Sequence, residues 1–204
     1  DRDLQNRGGV IDLSDRLKLM LTGADRVRFL HGQVTSNVQK LAAGETQRAC
    51  VTTARGKLCA EVMITATPET LIIDADAAVH DSLPARLERY LIADDVALAE
   101  LPEETRLFHF LSPKPDWLVS MSPAGLPRCS AAARFGRAGW DWWTDAATAA
   151  QAWAEIERRV VVLDEASSEL LRIEAGVPRW GRELNEDTLP PEAGLDRTHV
   201  DYHK

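Results

Sequence analysis

The sequence predicts an α+β fold of antiparallel sheets with packed helices. Three observations predict it. Strand-like stretches are joined by turns too short for a crossover helix, as in TQRACVTTARGKLCAEVMIT around Ala54-Arg55-Gly56, and such turns favour antiparallel pairing. Other segments repeat apolar residues at spacings of three and four, the period of a helix. Strands and helices also mix without a strict βαβ rhythm. Neither GxGxxG nor GxxxxGK[ST] occurs, which leaves a dinucleotide fold and a P-loop unsupported.

Along the chain, Leu19 and Leu21 alternate as a short strand, and a helix follows from about Asp25 with Val27, Leu30 and Val34 on one face. The hairpin comes next, with Gly56 in its turn, then the strand ETLIID. HDSLPARLERYLI is a helix facing inward through Leu83, Leu87 and Leu91, with Pro84 in its first turn and Asp81 or Ser82 as its cap. DDVALAEL, TRLFHFLS, WLVSMS and GWDWWT read as strands. Gln151 to Val161 is helical, with Trp153, Ile156 and Val160 inward. Ser167 to Ala175 is a short helix stopped by Gly176 with Pro178 close behind.

The chain has 204 residues, of which 45% are apolar and 27% charged. These values are ordinary for a globular protein that buries roughly 70% of its unfolded surface. A net charge of -8 gives no general attraction to phosphate backbones, so nucleic acid is not the expected partner. No apolar run approaches the ~20 residues that span a bilayer, so no membrane partner is expected either. Three cysteines, Cys50, Cys59 and Cys129, form an odd set without CxxC. That set fits a reducing compartment, hence the cytoplasm, with no disulfide framework. Cys50 and Cys59 flank the hairpin turn, and two small buried hydrophobes are a better reading than a bond.

Few residues suggest chemistry. His199 and His203 form HxxxH, but Val200 and Tyr202 alternate between them. On a strand those imidazoles lie far apart along one face, which speaks against a metal site. Glu174 stands out because Leu170 and Leu171 share its helix face. A carboxylate on an apolar face needs a partner. One partner is an arginine, Arg172 or Arg179. The alternative is a planar heterocycle that donates two parallel N–H bonds, as a guanidinium does. Pattern alone favours the arginine.

The segment RIEAGVPRWGRELNEDTLPPEAGL resembles the signature of the glycine-cleavage T-protein superfamily. GADRVRFLHGQVTSNVQKLAAGETQRACVTTARGKLCAEVMI is similar to that superfamily's opening helix and hairpin. The superfamily contains aminomethyltransferases, which pass a one-carbon unit to tetrahydrofolate. It also contains YgfZ-type folate-binding proteins, linked to iron–sulfur enzyme maintenance and tRNA modification. T-proteins carry a paired glycine and a paired aspartate in the hairpin, where this chain has Ala54-Arg55-Gly56-Lys57-Leu58-Cys59-Ala60-Glu61. They carry a tyrosine where it has Trp180. Both departures resemble the YgfZ branch.

The resemblance implies a two-domain, T-protein-like folate-binding fold that lacks the C-terminal β-barrel domain. Residues 1–45 and 102–204 would form a discontinuous folate-binding domain, with residues 46–101 as a smaller insert. Tetrahydrofolate, or a one-carbon derivative, is the implied ligand. Glu174 would clamp the pterin, Trp180 would stack near it, and Arg172 would face a carboxylate tail. Asp81 matches the folate-holding aspartate and would be catalytic in an aminomethyltransferase, while its position at a helix start also fits a plain cap. The implied function is an accessory role in iron–sulfur maintenance, with iron–sulfur proteins as partners. The alternatives are an aminomethyltransferase and an interaction scaffold with a degenerate pocket. Lys204 matches the lysine of a lysine-glycine-cysteine motif, so a continuation is expected beyond it, and the absence of methionine at Asp1 suggests a missing start.

Overall fold

A computed structural model of the chain describes residues 7–111 and 114–204. It contains two five-stranded sheets and falls into two compact units.

The first unit combines Asp1–Asp15 with Pro102–Val177. Its sheet runs in the order β10-β1-β7-β9-β8, formed by β1 (Gly9–Asp12), β7 (Thr105–Leu111), β8 (Cys129–Ala132), β9 (Gly139–Asp145) and β10 (Val161–Leu163). β1 and β10 pair in parallel and the remaining neighbours are antiparallel. Helix α4 (Ala146–Arg159) begins where Asp145 accepts a hydrogen bond from the Thr148 amide, a side-chain cap that satisfies an otherwise orphaned donor. Its Ala149, Ala152 and Ile156 pack with Val10, Phe108, Phe110, Leu118 and Trp142. These alternate positions of β7 and β9 share one sheet face.

The other face of this sheet carries a buried ion cluster. The Asp141 carboxylate accepts two bonds from Arg134 Nε, both 2.9 Å, and one from an Arg134 terminal nitrogen at 2.7 Å. His109 Nδ1 lies 2.8 Å from the same carboxylate, so Nδ1 is the protonated nitrogen and donates. His109 and Asp141 are fully buried and Arg134 nearly so. Gly139 makes room for this arrangement, because a Cβ there would lie 2.5 Å from His109 Cε1. Burial alone would raise the Asp141 pKa, but the Arg134 charge and the His109 hydrogen bond outweigh it and hold the group at about 2.

The second unit combines Arg16–Leu101 with Pro178–Lys204. Its sheet, β3-β4-β5-β2-β6, is wholly antiparallel. The strands are β2 (Leu17–Thr22), β3 (Thr46–Thr52), β4 (Leu58–Ala66), β5 (Leu71–Ala75) and β6 (Ala97–Glu100). Helices α1 (Arg26–Gln33) and α2 (Ser82–Glu88) lie on one face. Phe29, Leu30, Leu83 and Leu87 meet Leu17, Leu19, Leu21, Val62, Ile64 and Ile73 there. Each such side chain contributes roughly 1.5–3 kcal/mol by leaving water. The hairpin turns through Gly56 at φ 80°, a backbone region glycine enters without steric cost. Residues 178–204 add no strand to this sheet and instead run over the hairpin. The Leu58 amide donates to the Thr188 carbonyl at 2.9 Å, and Leu184 and Leu195 form a small cluster with Cys50 and Leu58.

Several expectations differ from what forms. The expected domain boundaries group residues 1–45 with 102–204. The compact units divide instead at Asp15/Arg16 and Val177/Pro178, because β2 hydrogen-bonds β5 and β6 and the tail packs on β3 and β4. Asp116–Val119 in WLVSMS is a single helical turn, α3, not a strand. TRLFHFLS appears as β7, and its Ser112 lies outside the described residues. Residues 199–203 are turns and irregular backbone, not a strand. The helix expected from Gln151 begins five residues earlier. The helix expected over Ser167–Ala175 is α5 (Glu165–Glu174).

Asp141→Asn removes the charge that compensates Arg134 in a site without solvent. It should lower stability by about 3–5 kcal/mol, read as a lower denaturation midpoint with an unchanged slope.

Candidate functional site

The four residues singled out by sequence divide between the units. Arg172 and Glu174 lie on α5 of the first unit, and Asp81 and Trp180 belong to the second.

Asp81 stands at the N-cap position of α2, but its side chain makes no capping bond. It is exposed and lies 3.1 Å from His80 Nδ1, while His80 Nε2 is 3.0 Å from Glu100 Oε1. The hydrogen bond to Asp81, followed by that to Glu100, raises the His80 pKa. Trp180 is half-buried and packs against both the main apolar cluster and the small one beneath the tail.

Arg172 does not pair with Glu174. Its guanidinium is buried, donates to both oxygens of Glu169 and reaches the Val177 carbonyl at 3.3 Å. A residue three positions earlier lies on the same helix face, whereas one two positions later does not. Arg179 Nε lies 3.9 Å from Asp76. Glu174 is exposed at the end of α5, and of the two leucines on its face Leu170 is 57% exposed and Leu171 half-buried. Burial therefore does not force Glu174 to find a partner, because the carboxylate itself lies in solvent and that face is only partly covered.

Sequence reasoning missed a second set of charged groups, on the sheet face of the second unit opposite its helices. Glu61 alternates with Ala60 and Val62 on β4, so its carboxylate points away from the main core. Its Oε1 lies 3.0 Å from Nε2 of His199, a residue only 1% exposed. On β5, Asp74 is fully buried and meets Arg16 Nε at 2.5 Å. Burial pushes the Glu61 pKa up, but the His199 hydrogen bond and the Arg16, His199 and Arg48 charges prevail and hold it at about 2. Glu61 therefore remains an anion throughout the neutral range. It can accept N–H donors but cannot serve as a proton donor there. A charge within the otherwise apolar run of β5 was the available sequence signal for this cluster.

The cysteines offer no thiolate. Burial pushes Cys50 up to about 12 and Cys129 to about 11, and it also raises Cys59. All three are free. A register shift between Val51 and Thr52 places Leu58 in the small cluster, while Cys59 packs against the main one. Cys50 and Cys59 thus occupy different cores. Among the described residues, no group of three His, Cys, Asp or Glu is placed to hold a metal ion, and no helix is long and apolar enough to cross a membrane.

No family profile matches the chain. The aminomethyltransferase of Rubrobacter xylanophilus is 25% identical over 98% of the chain and 59% of its own length. The mitochondrial aminomethyltransferase of Gallus gallus is 26% identical over 91% of the chain and 54% of its length. The tRNA-modifying protein YgfZ of Yersinia pseudotuberculosis is 30% identical over 46% of the chain and 28% of its length. The chain is a homologue of the aminomethyltransferases and of YgfZ. Its fold is the T-protein fold: the crystal structure of the glycine cleavage system aminomethyltransferase T from Bartonella henselae superposes with a TM-score of 0.77 and 20% identity, over 94% of this chain and 57% of that one. This homologue thus spans less than two thirds of the aminomethyltransferases it matches.

The Glu61 pKa lies below its ordinary value of 4.5, so the folded state gains stability from this group above about pH 4.5 and loses it as the pH falls toward 2. Denaturation across that range should show Glu61→Gln less stable than the parent at neutral pH, with the difference closing on acidification. A constant difference would contradict the assignment.

Proposed function

We propose that the chain is a tetrahydrofolate-binding part of a YgfZ-type protein with an accessory role in maintaining iron–sulfur enzymes in the cytoplasm, with those enzymes as its partners. The carrying observation is that one T-protein fold spans nearly the whole chain, with homology to aminomethyltransferases and to YgfZ. The departures from the T-protein hairpin and signature, Lys57 after Gly56 and Trp180 in place of tyrosine, support the YgfZ branch.

In this reading Glu174 accepts two N–H bonds from the pterin. Among the described residues its side chain makes no hydrogen bond or ion pair, and Leu170 and Ile173 are exposed beside it. A carboxylate next to exposed apolar surface suits a flat heterocycle with a polar edge. Trp180 offers an indole face for stacking. Arg172 is the weakest of the proposed contacts, because Glu169 and the Val177 carbonyl already engage its guanidinium.

The second reading is an aminomethyltransferase, favoured by matches to such enzymes over more than nine tenths of the chain. Asp81 would then orient or protonate the folate while the one-carbon unit moves between nitrogens. Its carboxylate is exposed and spends no bond on capping α2.

Six tryptophans provide the readout. Titration with tetrahydrofolate should give a saturable change in fluorescence, and Glu174→Ala should weaken binding at least about tenfold, as expected for losing a charge-assisted pair. An absence of saturable change in the parent protein would remove both folate readings. If the parent binds, one-carbon transfer from an aminomethyl-carrying protein, lost in Asp81→Asn, would select the enzyme, and no transfer would select the accessory protein.

A further inference from the structure

The tail of the second unit is joined to its sheet differently from any strand. From Pro178 onward it contributes no ladder, and its own backbone bridge joins only Trp180 to Leu184. Its bonds to the rest of the unit are few and spaced along its length. The Leu58 amide donates to Thr188, and Lys57 Nζ meets Asp187 at 2.5 Å. Further along, Thr35 Oγ1 donates to the His199 carbonyl at 2.6 Å, the Asp201 amide donates to the Thr35 carbonyl at 3.0 Å, and His199 meets Glu61. Lys204 Nζ donates to the His31 and Val34 carbonyls at the end of α1. Between these points Leu184 and Leu195 cover Cys50 and Leu58, and these four are the fully buried members of that cluster among the described residues. Trp180, at the root of the tail, packs against this cluster and the main core alike.

We infer that residues 184–204 form a strap that opens as a unit while the sheet stays folded, rooted at Trp180 and clasped by the His199–Glu61 pair, and that Cys50 is the thiol it covers. Local opening occurs where a segment buries little apolar surface and few of its backbone bonds join the body. The strap meets both conditions, whereas β5, between β4 and β2 and facing the main core, meets neither. Of the groups that hold the strap, the His199–Glu61 pair is the more shielded, with His199 buried and Glu61 half-buried, whereas the Lys57–Asp187 pair lies exposed, and an exposed pair holds little. Cys50 sits directly opposite Glu61 in the β3–β4 register and its amide donates to Thr35 Oγ1. The groups that clasp the strap and the thiol beneath it are therefore neighbours.

Alkylation by iodoacetamide with peptide mapping tests this on the whole chain. His199→Gln removes the imidazole but leaves the Glu61 carboxylate, so the electrostatic surroundings of the thiol are not relieved of negative charge. Cys50 modification should rise at least about tenfold in this variant, with the rate at Cys129 and hydrogen exchange of the β5 amides unchanged. An unchanged Cys50 rate, or a rise matched by faster β5 exchange, would overturn the inference. The parent protein provides an independent check, since the Leu58 and Asp201 amides, which bond across the strap, should exchange faster than those of Ile72 and Ile73. Exchange of all four at one common rate would also overturn it.

Discussion

The two-residue period of β4 is the constraint on which the second unit is built. Ala60, Val62 and Ile64 on one side must be covered by α1 and α2. Glu61 on the other side cannot enter that core without a prohibitive loss of hydration. The helices cover one face of this sheet, and the other, which carries Glu61 and Asp74 beside Cys50, needs a cover of its own. The tail supplies part of that cover, and it carries His199 to the carboxylate that alternation leaves on that side. The register shift after Val51 lets one strand feed both clusters, because it places Leu58 under the tail while Ala60 stays with the helices. A uniform ladder would have put Leu58 and Ala60 on one face.

Elements specified by local pattern were legible in the sequence. The hairpin around Gly56, the Leu83 and Leu87 face of α2, and the end of α5 before Gly176 all form as their residues suggest. Long-range partners were not legible. β1 and β10 pair although about 150 residues separate them, and no short window of sequence records such a pairing. The same limit displaced the domain boundary. Leu17–Thr22 reads as an isolated strand before a helix, and only its bonds to Leu71–Ala75 and Ala97–Glu100 show which sheet it joins.

The chemistry followed the same division. Spacing placed Glu174 on a helix face with leucines, but whether that face is covered depends on tertiary packing, and Leu170 is mostly exposed. Asp81 was read as a cap or a ligand contact, and its side chain turns to His80 instead of the helix amides. Two paired carboxylates, Asp141 and Glu61, drew no notice, because their partners Arg134, His109 and His199 are brought to them by strand register or by the tail. Periodicity reports which face a residue occupies, but not what opposes it across a sheet.

The parallel pairing of β1 with β10 also sets an order of assembly. A ribosome releases the chain from its N-terminus, and domains fold as their contacts become available. The sheet of the second unit has all five strands once Glu100 has emerged. Gly9–Asp12, made before the other described strands, cannot gain its parallel neighbour until Val161–Leu163 is synthesised. The earliest of the described strands thus waits for the latest of them. Its short length, four residues, limits the unpaired edge that the growing polypeptide offers to neighbouring chains in the meantime.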